Sequence, residues 1–506
     1  MLKARGLACE ESMLADMISV IDLPFLGVIF LGAVSGLFVG SMPGLSVTMA
    51  TALLVSITYT WDTNLAMGLI MGVYVVGVYS GAITAILINI PGAPSSVSTT
   101  LDGYPMAKKG RALLALRTAT IYSFMGSVIG LIVLMVSAGP VTKLALQFTR
   151  FDYFLLAFFG LTTIGSLTSK SYVKGLISAA LGVFLSTIGM DSMFGIGRFT
   201  FGITNLQRGI PIVAALIGLF GLSEILIQVS KKKTDAKSVV IKDEKVSTPE
   251  ILKHWVLGIY SSVLGALIGA LPGAGGPVAA LIAYDQAKKM TKNPEVPFGQ
   301  GAIEGIVASE AANNGCIGGA LIPMLTLAVP GDAVTAVILS AFYIHGLRPG
   351  PLLFTQTPEM FSVILAAGFI ACVMILVLGY TVAPLLSKIA TVKERHLFPI
   401  VSTLCVVGAF ATSNNFFDVW LMVGFGILGF IMRKREYSVA PLVLGLVLGG
   451  LMDDNFRRTM SLLQSSSSPL QDLFFSPISM VLTLLICFSV LSNFTFFRNL
   501  FSKKNS

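Results

Sequence analysis

The sequence predicts an all-α polytopic membrane protein built from two inverted-topology repeats whose helices are broken by Pro-Gly or are re-entrant. Three observations support this fold class. The chain of 506 residues is 55% hydrophobic and only 12% charged, which is about half the charge of a typical soluble protein. Several charge-free stretches reach the roughly 20 residues that span a bilayer. The two halves of the chain also repeat one pattern of Pro-Gly interruptions inside apolar sequence.

The apolar stretches set the number of membrane segments. Counting the charge-free windows, and dividing the longest at their Pro-Gly pairs, gives about 10–14 segments. Examples are residues 118–142, 255–284, 361–387 and 473–497. The net charge of +9 arises from basic residues in short loops, which the positive-inside rule explains without a nucleic-acid partner. The five cysteines form no CxxC pair, so we expect small buried side chains rather than a disulfide framework.

Each half of the chain contains two breaks in its apolar sequence. The first breaks share one spacing and comprise Gly36, Gly40, Pro43 and Gly44 in one half, and Gly265, Gly269, Pro272 and Gly273 in the other. The second breaks follow about fifty to sixty residues later and read Asn89-Ile-Pro-Gly-Ala-Pro94 and Ala328-Val-Pro-Gly-Asp-Ala333. Lipid cannot satisfy the backbone groups that a broken helix exposes, so each break must line protein or an aqueous cavity. Paired interruptions of this kind point to the binding site of a transporter.

Charge along the chain defines the domain organisation. We predict an N-terminal tail at 1–23, a first membrane repeat at 24–230, a cytoplasmic linker at 231–253, and a second membrane repeat with C-terminal helices at 254–500. The linker is rich in Lys, Asp and Glu, and it separates the two pairs of breaks.

The loops after the breaks indicate how the repeats are oriented. In the first half, the loop 61–64 has no basic residue, whereas the loop 108–117 has four. In the second half the order reverses, with three lysines in 288–292 and a single arginine in 345–350. Equivalent loops are therefore expected on opposite membrane faces, as an inverted repeat requires.

The predicted substrate-binding residues lie in or beside the four breaks. Hydroxyls, amides and helix N-terminal N–H groups hold a carboxylate without burying a fixed cation. Ser95 and Ser96 follow Pro94, where a new helix begins, so they also qualify as helix caps. The complete set is Pro43, Gly44, Ser46, Asn89, Pro91, Gly92, Ser95, Ser96, Gly273, Asn313, Asn314, Pro330, Gly331 and Thr335.

Two acidic residues of the second half are candidates for coupling to a cation. Glu310 lies within about one helical turn of Asn313 and Asn314, so their oxygens can converge. Asp332 lies beside the backbone break and can also cap the following helix. Oxygen-rich, partly anionic sites suit Na⁺ or H⁺. We expect one of these as the coupling ion, with no other cofactor and no dedicated metal centre. We also expect the two second breaks to face each other across a polar cavity near mid-membrane.

Other classes of function are disfavoured by the residues. The chain has no HExxH, GxSxG or Walker motif, and its three histidines are far apart, so an enzyme lacks a catalytic constellation. An ATP-driven pump lacks a soluble nucleotide-binding domain. A passive anion-conducting channel stays an alternative, because broken helices also build pores.

Several motifs together resemble the TctA family, the large membrane subunit of the tripartite tricarboxylate transporters, over about residues 24–495. They are the segments at 43–46, 81–94, 101–111, 271–275, 298–304, 310–314 and 345–351. The resemblance implies a multi-pass secondary transporter of the bacterial inner membrane that takes up small organic acids such as citrate. It further implies a periplasmic, TctC-like substrate-binding protein and a small, TctB-like membrane subunit as partners.

Overall fold

The computed structural model describes residues 13–42, 45–167, 171–191, 193, 195–230, 246–383, 394–411, 413–464, 473 and 476–492. Residues 1–12 of the predicted tail, 231–245 of the predicted linker and 493–500 of the predicted second repeat lie outside the described residues.

Helices make up most of the described chain. In chain order they are α1 (Leu23–Gly40), α2 (Val47–Ile57), α3 (Thr63–Ile88), α4 (Val97–Met106), α5 (Ala112–Ala145), α6 (Arg150–Leu167), α7 (Tyr172–Ser186), α8 (Ile212–Ser230), α9 (Trp255–Gly269), α10 (Gly275–Met290), α11 (Ile303–Leu327), α12 (Ala333–Ile344), α13 (Pro358–Thr381), α14 (Glu394–Ala411), α15 (Phe416–Lys434), α16 (Val439–Leu463) and α17 (Pro477–Ser492). Short helical turns occur at Thr204–Gln207, Thr248–Leu252 and Leu353–Gln356, and strands β1 (Gly189–Met190) and β2 (Gly197–Arg198) form an antiparallel pair.

The lengths and compositions of these helices fit a membrane protein. Within the described residues, seven helices are long and apolar enough to cross a bilayer, and six more apolar helices have 10–17 residues. Three of the shorter ones, α2, α9 and α12, adjoin the breaks. The predicted fold class, an all-α polytopic membrane protein, is confirmed.

Two sets of five helices follow the same order and make equivalent contacts. In the first set α1 packs on α3, and in the second set α9 packs on α11. The fifth helix of each set packs on the third helix of the other set, α5 on α11 and α13 on α3. The two halves therefore interlock, with α3 and α11 at the centre. The other helices pack beside this core, α6 against α7, α16 and α17, and α8 against α14 and α15.

Four interruptions separate helices within the two sets. We name them break 1 (residues 41–46, of which 43 and 44 lie outside the described residues), break 2 (89–96), break 3 (270–274) and break 4 (328–332). Breaks 2 and 4 begin in the same way. The residue after α3, Asn89, has φ 56°, and the residue after α11, Ala328, has φ 58°. A left-handed residue ends a helix, and the prolines two residues later lack the N–H needed to continue it.

Glycines allow equivalent helix pairs to touch through their backbones. A Cβ on Gly36 of α1 would lie 2.7 Å from the carbonyl oxygen of Val73, and a Cβ on Gly265 of α9 would lie 2.1 Å from that of Ala312. Close approach at small residues is typical of membrane helices, where packing rather than water drives association. The same contact recurs in both halves.

The end of the predicted linker packs against the membrane helices. Residues 248–252 form a helical turn in which Ile251 is only 1% exposed. The Tyr122 hydroxyl of α5 donates to the Ile251 carbonyl oxygen at 2.8 Å, and Arg111 pairs with Glu250 at 2.6 Å. These contacts fix the start of the second helix set beside α5.

Candidate functional site

The beginnings of four helices meet around one cavity of about 140 Å³, which we call the break cavity. Helices α2, α10 and α12 contribute their first residues or N-caps, and the turn before α4 contributes Ala93, Pro94 and Ser95. The lining residues are Ser46, Val47, Thr48, Tyr74, Val78, Ala93, Pro94, Ser95, Gly276, Pro277, Asn313, Cys316, Ile317, Asp332, Ala333 and Val334. This lining contains one acidic side chain, Asp332, and no Lys, Arg or His.

The start of α2 supplies a hydroxyl to the break cavity. Ser46 is the N-cap of α2, and its Oγ accepts a hydrogen bond from the Met49 N–H at 3.1 Å. An N-cap serine satisfies one of the unpaired N–H groups of the first turn and leaves the others without an intrahelical partner. The predicted residues Pro43 and Gly44 lie outside the described residues.

The start of α4 differs from a capped helix. A 3₁₀ turn over Pro94–Ser96 precedes α4, and neither serine makes a side-chain cap. Ser95 lines the break cavity and is 8% exposed. Ser96 is fully buried, and within the described part of the structure its Oγ has no hydrogen-bond partner. The hypothesis that Ser95 and Ser96 cap α4 is therefore not supported by any side-chain hydrogen bond at the start of this helix.

Asp332 both caps α12 and faces the break cavity. Its Oδ1 accepts hydrogen bonds from the backbone N–H and the hydroxyl of Thr335, at 2.7 and 2.8 Å, in a capping box. Its Oδ2 accepts a hydrogen bond from the Tyr74 hydroxyl of α3 at 3.1 Å. One carboxylate oxygen thus holds the helix start, while the other is shared between a tyrosine and the cavity.

Asn313 and the first turn of α10 are in close contact. A Cβ on Gly276 would lie 2.4 Å from Asn313 Oδ1 and 3.2 Å from Ser95 Cβ. Only glycine brings the backbone this close to both side chains. Asn313 is 2% exposed, and its Nδ2 has no partner among the described residues. A buried donor without a partner costs about 1–3 kcal/mol, so this amide is available to a ligand in the cavity.

Glu310 and Asn314 belong to a separate polar group, the Glu310 cluster, defined as Glu310, Asn314, Thr99 and Ser123. Thr99 of α4 and Ser123 of α5 donate to the carboxylate, Ser123 at 2.9 Å. The Asn314 amide donates to the Glu310 carbonyl oxygen at 3.0 Å and to Oε2 at 3.4 Å. None of the four lines the break cavity. The two predicted cation-coupling acids are therefore placed in two different polar sites.

The other predicted residues shape the breaks without lining the break cavity. Asn89 is exposed at the end of α3. Gly92 lies against Gly40, since a Cβ on Gly92 would be 2.1 Å from the Gly40 carbonyl oxygen. Gly273 donates its N–H to the Gly331 carbonyl oxygen at 2.7 Å, which ties break 3 to break 4. Pro91, Pro330 and Thr335 likewise lie outside the lining.

Sequence reasoning missed three residues near these sites: Tyr74, Thr99 and Asp102. Tyr74 lies in an apolar run, yet a buried tyrosine hydroxyl usually requires a partner, and that requirement is a usable signal. Asp102 is fully buried in α4 and accepts from the N–H groups of Gly299, Gly301 and Ala302 at 2.7–2.8 Å. The hydroxyl of Tyr284 also donates to it at 2.8 Å. Nothing in the local sequence distinguishes Asp102 from an acid in a hydrated loop.

No side-chain group suited to a tightly bound metal ion occurs in the described ranges, since they contain no cluster of three or more His, Cys, Asp or Glu residues. The polar groups that meet in the interior of the described structure are instead single carboxylates surrounded by hydroxyls, amides and helix N-termini.

The chain is similar to one protein family and to two proteins of Agrobacterium vitis. The model of the tripartite tricarboxylate transporter TctA family matches residues 26–444. An uncharacterized 52.8 kDa protein in the TAR-I ttuC' 3' region of Agrobacterium vitis is 35% identical over 441 residues, which cover 85% of this chain and 86% of that protein. An uncharacterized protein in the TAR-II ttuC' 3' region of the same organism is 38% identical over 196 residues, or 39% of this chain and 81% of that protein. No solved structure matches the chain.

Proposed function

Because this chain belongs to the tripartite tricarboxylate transporter TctA family, we propose that it imports small organic carboxylates by secondary active transport coupled to Na⁺ or H⁺. Tri- and dicarboxylates of the size of citrate are the proposed substrates. The observation that carries the proposal is the convergence of four helix N-termini on the break cavity, which has no cationic side chain in its lining.

The electrostatics of the break cavity favour an anion. Each helix N-terminus is equivalent to roughly +0.5 elementary charge, so four together supply about +2. A fixed dipole field can hold carboxylates and still release them, since it lacks the strong ion pair that a buried arginine would form. The unpartnered Nδ2 of Asn313 and the hydroxyl of Ser95 add hydrogen-bond donors and acceptors at the same place.

The two sides of the break cavity differ in charge. Ser95 before α4, Asn313 of α11 and the Gly276 backbone of α10 lie together and are all neutral. Asp332 lies at the start of α12, with Tyr74 donating to it, and it also reaches the start of α10, because a Cβ on Gly275 would lie 3.3 Å from Asp332 Cβ. A substrate carboxylate is best placed at the neutral side. A cation beside Asp332 would neutralise that acid and relieve its repulsion of a second substrate carboxylate.

The proposed cellular setting follows from the family. We place the protein in the inner membrane of a bacterium, with a small TctB-like membrane subunit and a periplasmic TctC-like protein that delivers the substrate. Family membership makes it a component of a tripartite transporter, and the positive-inside pattern supports a cytoplasmic linker.

Uptake into proteoliposomes tests the proposal. The purified protein, with its small subunit and binding protein, is given labelled citrate, other di- and tricarboxylates, or a neutral sugar, under Na⁺ and pH gradients. We expect gradient-dependent accumulation of at least one carboxylate and none of the sugar. Equilibration without accumulation would identify a passive channel instead, and the absence of carboxylate movement would refute the proposal.

Two variants connect transport to the break cavity. Asp332→Asn should weaken cation dependence before it weakens substrate recognition, because the amide keeps the shape but not the charge. Ser95→Ala should raise the substrate concentration needed for half-maximal uptake by about two- to tenfold, the equivalent of one neutral hydrogen bond. Thr100→Ala is the matched control, since Thr100 lies in α4 shortly after Ser95, and among the described residues its hydroxyl donates to the Val97 carbonyl oxygen alone.

A further inference from the structure

The Glu310 cluster is a buried acid site that the break cavity does not use. Glu310 is fully buried near the middle of α11, and its hydrogen-bond partners come from both halves of the chain, Thr99 of α4 and Ser123 of α5 on one side and Asn314 of α11 on the other. A carboxyl group inside a membrane protein is rare and costly, and it is a functional site by default.

The surroundings of Glu310 are electrically neutral. Helices α4 and α5 present hydroxyls to it, and α3 contributes one titratable neighbour, Tyr79, whose own hydroxyl pairs with Thr120 at 2.8 Å. Within the described residues, no Lys, Arg or His forms an ion pair with Glu310. Three neutral donors compensate a buried negative charge only in part, whereas a bound proton removes that charge altogether.

The contacts of the Glu310 carboxylate are hydrogen bonds from neutral groups, which suit a bound proton. Ser123 Oγ lies 2.9 Å from Glu310 Oε2, which is an ordinary hydrogen-bond separation. A hard cation such as Ca²⁺ takes six to eight oxygen ligands, whereas Glu310 has two hydroxyls among its described partners, and both already donate to the carboxylate. In addition, Asn314 Oδ1 is buried and has no partner in the described part of the chain. The Asn314 amide lies beside Glu310, since its Nδ2 is 3.4 Å from Oε2, so a proton bound at Glu310 adds a donor next to a group that contains an unpaired acceptor.

We propose that Glu310 is the proton-binding residue of this transporter, so that one H⁺ enters on its carboxylate with each carboxylate substrate. The proposal rests on the transport function proposed above and gives it a proton site separate from the cation position proposed beside Asp332. Two chain segments join the sites, since Ser95 lies in the turn directly before α4, which carries Thr99, and α11 carries both Asn313 and Glu310. Protonation of Glu310 therefore acts on the same two segments that hold the substrate side of the break cavity.

The first test separates the driving force from substrate binding. In sodium-free proteoliposomes, an inwardly directed H⁺ gradient should accumulate the carboxylate by about tenfold per pH unit for one net coupled proton. Glu310→Gln keeps the volume and hydrogen bonding of the side chain but cannot exchange a proton. It should lose this accumulation and keep exchange of internal for external substrate, because exchange needs no deprotonation. Glu304→Gln, on the same helix, is the control and should keep the H⁺-driven accumulation.

The outcomes that would overturn the proposal are specific. H⁺-driven accumulation that persists in Glu310→Gln would show that the proton binds elsewhere. Loss of substrate exchange along with accumulation would make Glu310 a substrate-binding or folding residue. Accumulation by the wild-type protein that follows only a Na⁺ gradient would also reject it.

A second measurement needs no transport. Infrared difference spectra of the purified protein between alkaline and acidic pH should contain a carboxylic-acid C=O band that Glu310→Gln lacks and Glu304→Gln retains. If the protein moves no carboxylate but shows this band, the transport proposal fails and the proton site stands. If the band is unchanged in Glu310→Gln, the proton site fails whatever the transport result.

Discussion

Removing the carboxylate of Asp102 should loosen the loop that leads into α11. Asp102 lies in α4, and its Oδ1 accepts three backbone N–H groups, from Gly299, Gly301 and Ala302, at 2.7–2.8 Å. Asp102→Ala would leave these donors unpaired, at a cost of about 1 kcal/mol or more each. The free energy required to open the loop should then fall by about 3 kcal/mol. This change raises the equilibrium constant for opening on the order of a hundredfold.

Hydrogen–deuterium exchange measured by mass spectrometry reports this opening directly. The peptide that spans residues 296–304 should exchange much faster in Asp102→Ala, whereas peptides from α1 and α3 should not change. Asp285→Ala is the matched control, because Asp285 is an exposed acid of α10 whose ion pair among the described residues is with Lys289. Equal exchange of the 296–304 peptide in Asp102→Ala and the wild-type protein would refute the reasoning that Asp102 holds the loop.

Three further substitutions test the breaks and the break cavity. Tyr74→Phe removes the hydrogen bond to Asp332 Oδ2 and should change the cation concentration for half-maximal transport by about two- to tenfold; an unchanged cation titration would contradict the role given to this pair. Ala328→Gly should raise the free energy of unfolding by roughly 1 kcal/mol, because alanine is strained in the left-handed conformation and glycine is not. A lower melting temperature would count against this prediction. Pro330→Ala should let α11 continue and reduce transport more than it reduces the melting temperature, and the reverse ranking would argue that the break serves folding.

The sequence predicts the breaks better than it predicts the contacts between them. Glycine and proline act through local backbone rules, so the positions of breaks 2 and 4 and the repeat of their pattern can be read from residues 89–94 and 328–333 alone. Their detailed likeness, with Asn89 and Ala328 in the same left-handed conformation, requires the structure, since alanine gives no local signal for that conformation.

The candidate site could be predicted only in part. Ser46, Ser95, Asn313 and Asp332 line one cavity, and each lies at or near a break, where the sequence pattern directs attention. Asn89 caps α3 instead, because its left-handed tendency serves the helix end and leaves its side chain exposed. Neither Tyr74 nor the separation of Glu310 from Asp332 follows from spacing along the chain, because both depend on how α3, α4 and α5 pack against α11.

The central claim is that the break cavity binds a carboxylate between four helix N-termini. The most direct measurement is an electron cryo-microscopy map of the purified protein with a transported or halogen-labelled dicarboxylate bound. The account predicts ligand density between Ser46, Ser95, Gly276 and Asn313, with one carboxylate at the α4 and α10 starts. Density at the basic segment 108–117, or anywhere outside the break cavity, would contradict it.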